Sequence, residues 1–172
     1  RVRFLEDTNH DGQYDRSTLF LDGLSFPTGV MAWGRGVLIT CAPDILYAED
    51  TDGDGKADRL ETLFQGFVEG NPQHRVNGLR WGLDNWIHGA NGDSGGEVLS
   101  LLTDQRLSMR GRDLRFSPDQ GTIQLTSGQT QFGRCTNNDG DWFGGNNSFP
   151  AWHYVLEDRY LQRNSHFAAA NV

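Results

Sequence analysis

The stretch EDTNHDGQYDR at residues 6–16 returns 43 residues later as EDTDGDGKADR at residues 49–59. The similarity continues without a gap, because FLDGL at residues 20–24 lies opposite LFQGF at residues 63–67. A repeat of this length corresponds to one supersecondary unit, and short β-type runs flank both acidic stretches. The sequence therefore predicts a repetitive β-fold in which one strand–loop–strand unit is duplicated.

A second, weaker repeat is defined by a different motif. TGVMAW at residues 28–33 resembles NGLRW at residues 77–81, and FGR at residues 132–134 opens a third copy. Each copy is followed by another short run, and four short strands in about 40–55 residues is the size of a propeller blade. We therefore predict an all-β partial β-propeller of about three to four blades, each a four-stranded antiparallel sheet, in preference to a β-sandwich or a β-helix.

The chain divides into approximate units at residues 1–24, 25–67, 68–121 and 122–172. A closed propeller needs at least about four blades, so we expect a single partial propeller that is a fragment of a longer chain. Little helix is predicted, and residues 152–161 fit either a strand or a short helix.

Composition narrows the classes of partner. The net charge of −8 is concentrated around the two acidic stretches, which suits a cation and argues against a nucleic-acid partner. No run of about 20 apolar residues occurs, so no transmembrane segment is expected. Without a CxxCH motif, no haem is expected on this segment. Cys41 and Cys135 each follow a predicted strand, which leaves open a disulfide or two separate buried thiols.

The second acidic stretch has the ligand spacing of a calcium loop. Calcium prefers six to eight oxygen ligands, and Gly55 at position 6 permits the sharp turn. Because the flanking runs are β-type, the prediction is a structural calcium loop between strands, and the alternative is a hairpin of Asx-turns without an ion. Positions 1, 3, 5, 7, 9 and 12 are occupied by Asp50, Asp52, Asp54, Lys56 through its carbonyl, Asp58 and Glu61.

The first acidic stretch offers a poorer set of ligands. Thr18 stands at its position 12, where the second stretch has Glu61, so the bidentate carboxylate is lost and weaker binding is expected. The candidate ligands here are Asp7, Asn9, Asp11, Gln13 and Asp15.

Longer stretches resemble a known family. They are the repeated acidic motif, HRVNGLRWGLDNWIHGANG at residues 74–92, DLRFSPDQG at residues 113–121, and QFGRCTNNDGDWFGGNNSFPAWHYVLEDRYLQRN at residues 131–164. Together they resemble the N-terminal propeller of the membrane-bound dehydrogenases of planctomycetes and verrucomicrobia, which is similar to glucose/sorbosone dehydrogenases.

The resemblance implies an extracytoplasmic sugar or alcohol dehydrogenase module, periplasmic or membrane-associated through its parent protein. It also implies a PQQ-type quinone as cofactor and a c-type haem domain of the same parent chain as partner. The alternative is a non-catalytic, glycan- or protein-binding propeller scaffold, because a fold by itself does not establish catalysis.

Ligands of propellers usually lie at one mouth of the central channel, which here would be formed by residues 27–28, 73–77 and 131–132. We predict His74 as the base that takes a hydroxyl proton while hydride leaves to a quinone, the alternative being a surface histidine. Arg75 is predicted to contact the anion in the same reaction. Arg80 and Asn77 are the predicted cofactor-binding residues. For both arginines the alternative is a salt bridge at a strand edge.

Structural roles are predicted for two further histidines and for the tryptophans. His88 and His153 lie in strand patterns and are predicted to be packed or cross-strand residues. The five tryptophans are predicted to pack between blades, with sugar stacking as the alternative.

Overall fold

The computed structural model describes residues 1–109, 111–163 and 166. Its regular elements are short strands, a 3-10 turn at Pro72–His74 and one α-helical turn, α1, at Asp158–Leu161. The strands are β1 (Val2–Glu6), β2 (Arg16–Leu21), β3 (Gly29–Trp33), β4 (Gly36–Cys41), β5 (Asp44–Glu49), β6 (Arg59–Phe67), β7 (Asn77–Trp81), β8 (Ile87–Ala90), β9 (Gly96–Ser100), β10 (Arg106–Ser108), β11 (Asp113–Ser117), β12 (Thr122–Thr126), β13 (Cys135–Thr136), β14 (Trp142–Gly144) and β15 (Trp152–Tyr154).

The strands form four antiparallel sheets. The first is β1–β2, the second has the order β3–β4–β5–β6–β9–β10, the third β7–β8–β11–β12 and the fourth β13–β14–β15. Neighbouring strands are consecutive in the chain except for the pairs β6–β9 and β8–β11, which flank the β9–β10 insertion. The first strands of the second and third sheets contact each other. This is the arrangement of propeller blades, and it confirms the prediction of an all-β, partial propeller fold.

The acidic repeat is a pair of equivalent hairpins. β1 pairs with β2 as β5 pairs with β6, and the last pairs before the loops are Glu6 with Arg16 and Glu49 with Arg59. The second loop rests on the preceding hairpin, since the Ala57 N–H donates to the carbonyl of Phe20 at 2.8 Å. The 43-residue period therefore relates two neighbouring sheets.

In two places a strand belongs to a different sheet from the one that the predicted units imply. The β9–β10 hairpin lies between β8 and β11 in the chain but pairs with β6, so it extends the outer edge of the second sheet. β12 begins at Thr122 yet pairs with β11 in the third sheet. Residues 152–161 form neither one strand nor one helix, because β15 is followed by α1.

The sheets are held together by two apolar clusters on opposite faces of the second sheet. One face packs against the third sheet, with the rings of Phe64 and Phe116 meeting edge to face at 5.1 Å. The other face, which includes Ile39 and Leu46, packs against the first hairpin. Successive side chains of a β-strand point to opposite faces of the sheet, so the strands of the second sheet contribute to both clusters.

The packing of the tryptophans and the burial of the cysteines can be compared with the predictions. Trp33 and Trp81, from the second and third sheets, lie with ring centroids 5.1 Å apart, so they pack between blades as predicted. Cys41 and Cys135 are both free thiols, but only Cys41 is buried, and the prediction of burial was wrong for Cys135. No helix in the described part of the chain is long and apolar enough to span a membrane.

Candidate functional site

The three loops predicted to form the channel mouth lie side by side. The Thr28 hydroxyl donates to the carbonyl of Val76 at 2.5 Å. The side-chain amide of Asn77 donates to the carbonyls of Arg75 at 2.8 Å and Gln131 at 2.7 Å. Residues from the starts of β3, β7 and the segment before β13 are thereby cross-linked by hydrogen bonds.

A close approach of two backbones makes this meeting possible. Gly78, at φ +63°, lies so near Gly133 that a Cβ on Gly78 would stand 2.4 Å from the Gly133 Cα. Only glycine tolerates both this conformation and this contact. The neighbouring Gly29 lies on the other side, with its ideal Cβ position 3.7 Å from the Gly78 nitrogen.

His74 is the last residue of the 3-10 turn at the start of the second of these loops. The Asn71 side chain caps this turn by accepting the Gln73 N–H at 3.0 Å, and Pro72 occupies its start. The His74 Nε2 lies 3.2 Å from the Nε2 of Gln131, and the ring is partly exposed. The predicted base is therefore anchored to Gln131 in the third of these loops.

The two predicted arginines differ in their surroundings. Arg75 donates its Nε–H to the carbonyl of Glu69, and its guanidinium lies 5.1 Å from the centre of the Phe26 ring. Arg80 is exposed on β7, opposite His88 on β8. Among the described residues neither arginine forms an ion pair, so the strand-edge salt bridge is not what holds them.

A buried carboxylate that the sequence reasoning missed lies behind the third loop. Asp113 is fully buried, and its Oδ1 accepts the backbone N–H groups of Asn91 and Thr130, both at 3.0 Å. Its Oδ2 accepts the Thr130 hydroxyl at 2.6 Å and faces the Nη1 of Arg134 at 3.5 Å. Burial raises the pKa of Asp113 to about 6, against the opposing effect of Arg134 and these hydrogen bonds.

Arg134 links this carboxylate to the fourth sheet. Its guanidinium carbon lies 4.9 Å from the ring centres of both Trp142 and Tyr154. The Arg134 side chain is 2% exposed, and burial lowers its pKa. A cation held between aromatic rings and a carboxylate therefore joins the third and fourth sheets.

A cleft of about 1040 Å³ opens beside this cluster, between the third sheet, the fourth sheet and α1. At its base His88 stacks on Trp142 with ring centroids 4.0 Å apart, and its Nε2 lies 3.1 Å from Asp84. Burial lowers the pKa of His88 to about 4, so the ring is neutral at pH 7. The predictions of packed residues are confirmed for His88 and for His153, which stacks on its cross-strand neighbour Phe143.

The second acidic loop gathers three carboxylates. One oxygen each from Asp50, Asp52 and Asp54 lies within 4.8 Å of the others, so this group could hold a metal ion. The backbone N–H groups of Gly53 and Gly55 donate to Asp50 at 2.7 and 2.8 Å. These hydrogen bonds, with that of Gly55 the larger effect, lower the pKa of Asp50 and keep it ionised.

The two other predicted carboxylate ligands of this loop, Asp58 and Glu61, are not part of that group. Glu61 points to Arg59, whose Nη2 donates to it at 2.7 Å. Asp58 accepts both the N–H and the hydroxyl of Thr51, which lower its pKa. Lys56 donates its N–H to Asp54 at 2.8 Å.

The first acidic loop repeats the same frame. Asp15 accepts the N–H and the hydroxyl of Thr8, as Asp58 does in the second loop. The Gly12 N–H donates to Asp7, and the Asp11 N–H donates to both Asp7 and Asn9. The Gln13 N–H donates to Asp11 at 2.8 Å. Hydrogen bonds from backbone N–H groups to Asp and Asn side chains therefore shape both loops.

A family model described as "Domain of unknown function (DUF7133)" matches residues 1–172. Neither the curated proteins nor the solved structures gave a significant match.

Proposed function

The chain belongs to the DUF7133 family, and we propose that it is the propeller module of an extracytoplasmic sugar or alcohol dehydrogenase. The observation that carries the proposal is the position of His74, which lies where three loops meet and is anchored by Gln131. A histidine held at a channel mouth suits the removal of a hydroxyl proton. The resemblance of the chain to dehydrogenase propellers supplies the substrate class.

The mouth offers suitable contacts for an anionic quinone of the PQQ type. Because Arg75 is held through its Nε, the edge bearing its two Nη nitrogens can form a bidentate contact with a carboxylate. Asn77 uses both N–H groups on loop carbonyls, so only its Oδ1 remains for a ligand. Arg80 provides a second, exposed cation on β7. When bound, the quinone supplies the hydride acceptor, and His74 receives the proton.

Substitution of His74 by alanine is expected to lower kcat about 100-fold or more, because the contribution of a general base is removed. The measurement is dye-linked oxidation of sugars and alcohols by the full-length protein with added quinone. His153→Ala is the matched control, since this side chain is 43% exposed and lies on the fourth sheet. Turnover that is unaffected by His74→Ala would remove the base from the proposal.

The inter-sheet cleft favours the alternative of a non-catalytic binding module for a glycan or protein. Its charged side chains are already paired, as with Arg115 and Asp84 at 2.8 Å and Arg112 and Asp158 at 2.7 Å. Such a cleft can bind a ligand by its complementary shape, but it has few unpaired charged groups for chemistry. Binding of a glycan without oxidation, in the same assay series, would select this alternative.

We also propose that the group of Asp50, Asp52 and Asp54 binds calcium and that the ion stabilises the β5–β6 hairpin. The proximity of three carboxylate oxygens supports this role, and the carbonyl of Lys56 stands at the position that supplies a main-chain ligand in such loops.

Calcium at about 100 times its Kd is expected to raise Tm by roughly 5–10 °C, and chelator should reverse the change. Asp52→Asn should reduce the shift, because it lowers the negative charge of the ligand set but keeps the oxygen that accepts the Asp54 N–H. Glu61→Gln is the control and should retain the shift, since Glu61 pairs with Arg59. A midpoint that chelator leaves unchanged in the wild type would exclude the structural ion.

A further inference from the structure

Gln131 is a buried amide whose polar groups all have partners. Only 1% of the residue is exposed. Its backbone N–H donates to Gly145 at 3.0 Å, and its backbone carbonyl accepts from Asn77 at 2.7 Å. Its side-chain Oε1 accepts the backbone N–H of Asn147 at 3.2 Å, and its Nε2 lies 3.2 Å from the Nε2 of His74.

The direction of the hydrogen bond to His74 follows from these partners. A backbone N–H can only donate, so the atom of Gln131 that meets Asn147 is the oxygen, and the amide nitrogen faces His74. An amide nitrogen donates and does not accept. The Nε2 of His74 is therefore the acceptor, and the single N–H of its neutral ring is on Nδ1.

We propose that Gln131 is a positioning residue that holds His74 in the Nδ1–H tautomer, in which the lone pair of Nε2 accepts the amide N–H of Gln131. The catalytic meaning of this tautomer rests on the proposed function, whereas the tautomer itself does not. A base needs a lone pair at the atom that meets the substrate. In His74 that atom is Nε2, where an alcohol hydroxyl would replace the amide N–H as the donor.

The proposed oxidation of the alcohol transfers one proton and one hydride. The hydroxyl proton passes to the Nε2 of His74, which becomes doubly protonated. A bound quinone would supply the acceptor for the hydride, which would leave the carbon that bears the hydroxyl with its electron pair, and that same carbon would become the carbonyl carbon. Gln131 loses its acceptor during this step and keeps its bond from Asn147, so the amide remains in place for the next turnover.

The isosteric change Gln131→Glu tests the direction of the bond. One carboxylate oxygen can still accept the Asn147 N–H, but the other accepts and no longer donates. The expected result is a switch of His74 to the form with a proton on Nε2, seen in long-range ¹H–¹⁵N NMR spectra of the imidazole. Gln124→Glu is the matched control, because Gln124 is exposed and bonds to Arg115 at 3.1 and 2.9 Å.

The same variants separate positioning from a merely structural role. Gln131→Glu is expected to lower kcat about 100-fold while KM stays within about twofold, because the lone pair and not the pocket is changed. Gln124→Glu should leave the tautomer and both kinetic constants unchanged.

The outcomes are distinct. A wild-type spectrum showing His74 with its proton on Nε2 overturns the inference without any variant, and so does an unchanged tautomer in folded Gln131→Glu. A tautomer that switches as expected, in a protein that oxidises no alcohol, supports the positioning by Gln131 and overturns the dehydrogenase. A switch of tautomer with unchanged kcat overturns the catalytic role of the positioning.

Discussion

Replacement of Arg134 by methionine is expected to lower the free energy of unfolding by about 3–5 kcal/mol at pH 8, because it leaves a buried carboxylate without its cation. Methionine retains apolar contact with Trp142 and Tyr154, so the loss of charge dominates. The fully buried Asp113 then keeps three hydrogen bonds but loses its ion pair. Urea unfolding measures the change.

The loss should depend on pH in a definite direction. Burial raises the pKa of Asp113 to about 6, and Arg134 opposes this rise. A raised carboxyl pKa contributes stability that is fully present below the unfolded value of about 4 and is lost as pH rises through the folded value. Without Arg134 the pKa rises further, so Arg134→Met should cost more at pH 8 than at pH 5.

Two controls isolate the buried pair. Adding Asp113→Asn to Arg134→Met removes both charges and should recover part of the loss at pH 8 and abolish the extra pH dependence. Arg1→Met breaks the exposed pair with Asp22 and should cost less than about 1 kcal/mol. A loss from Arg134→Met that is equal at pH 5 and pH 8 would contradict the proposed cause.

Substitution of Gly78 by alanine is expected to lower the free energy of unfolding by about 3 kcal/mol or more. The new Cβ would stand 2.4 Å from the Cα of Gly133, and backbone on both sides must separate to accommodate it. The φ of +63° adds about 1–2 kcal/mol for a residue with a Cβ. The shift should also break the adjacent hydrogen bond from Asn77 to Gln131.

Gly34 offers the matched control for the close approach. It has a similar φ of +54°, but a Cβ there would meet nothing within 4 Å. Gly34→Ala should therefore cost only the conformational term of about 1–2 kcal/mol. Equal losses from the two alanine variants in urea unfolding would show that the contact with Gly133 is not tight.

The glycine shared by the three copies of the weaker repeat indicated which loops meet in the structure. Gly29, Gly78 and Gly133 occupy the same place in the motifs at residues 28–33, 77–81 and 132–134. In the structure they lie in succession where the loops meet. Three loops predicted to lie together could thus be identified from the sequence, because the same short motif leads into the first strand of the second, third and fourth sheets.

The contents of the mouth and cleft were less predictable. His74 was visible as a histidine in a loop, but its tautomer depends on Gln131, which is 57 residues away. Nothing local marks Asp113 as buried, because its partners are Asn91 just after β8, Thr130 just before the third loop, and Arg134 just before β13. The position-12 spacing of Glu61 suggested a ligand, whereas the strand directs that side chain to Arg59.

The sequence by itself determined the period, the β-class and the hairpins, since residue alternation and turn residues act within one strand–loop–strand unit. Only the tertiary structure decided which polar groups are buried together. Burial and partners, which set the pKa of Asp113 and the hydrogen bond of His74, depend on contacts between sheets. Such contacts join residues far apart in the chain, and their energies arise only after the blades have packed.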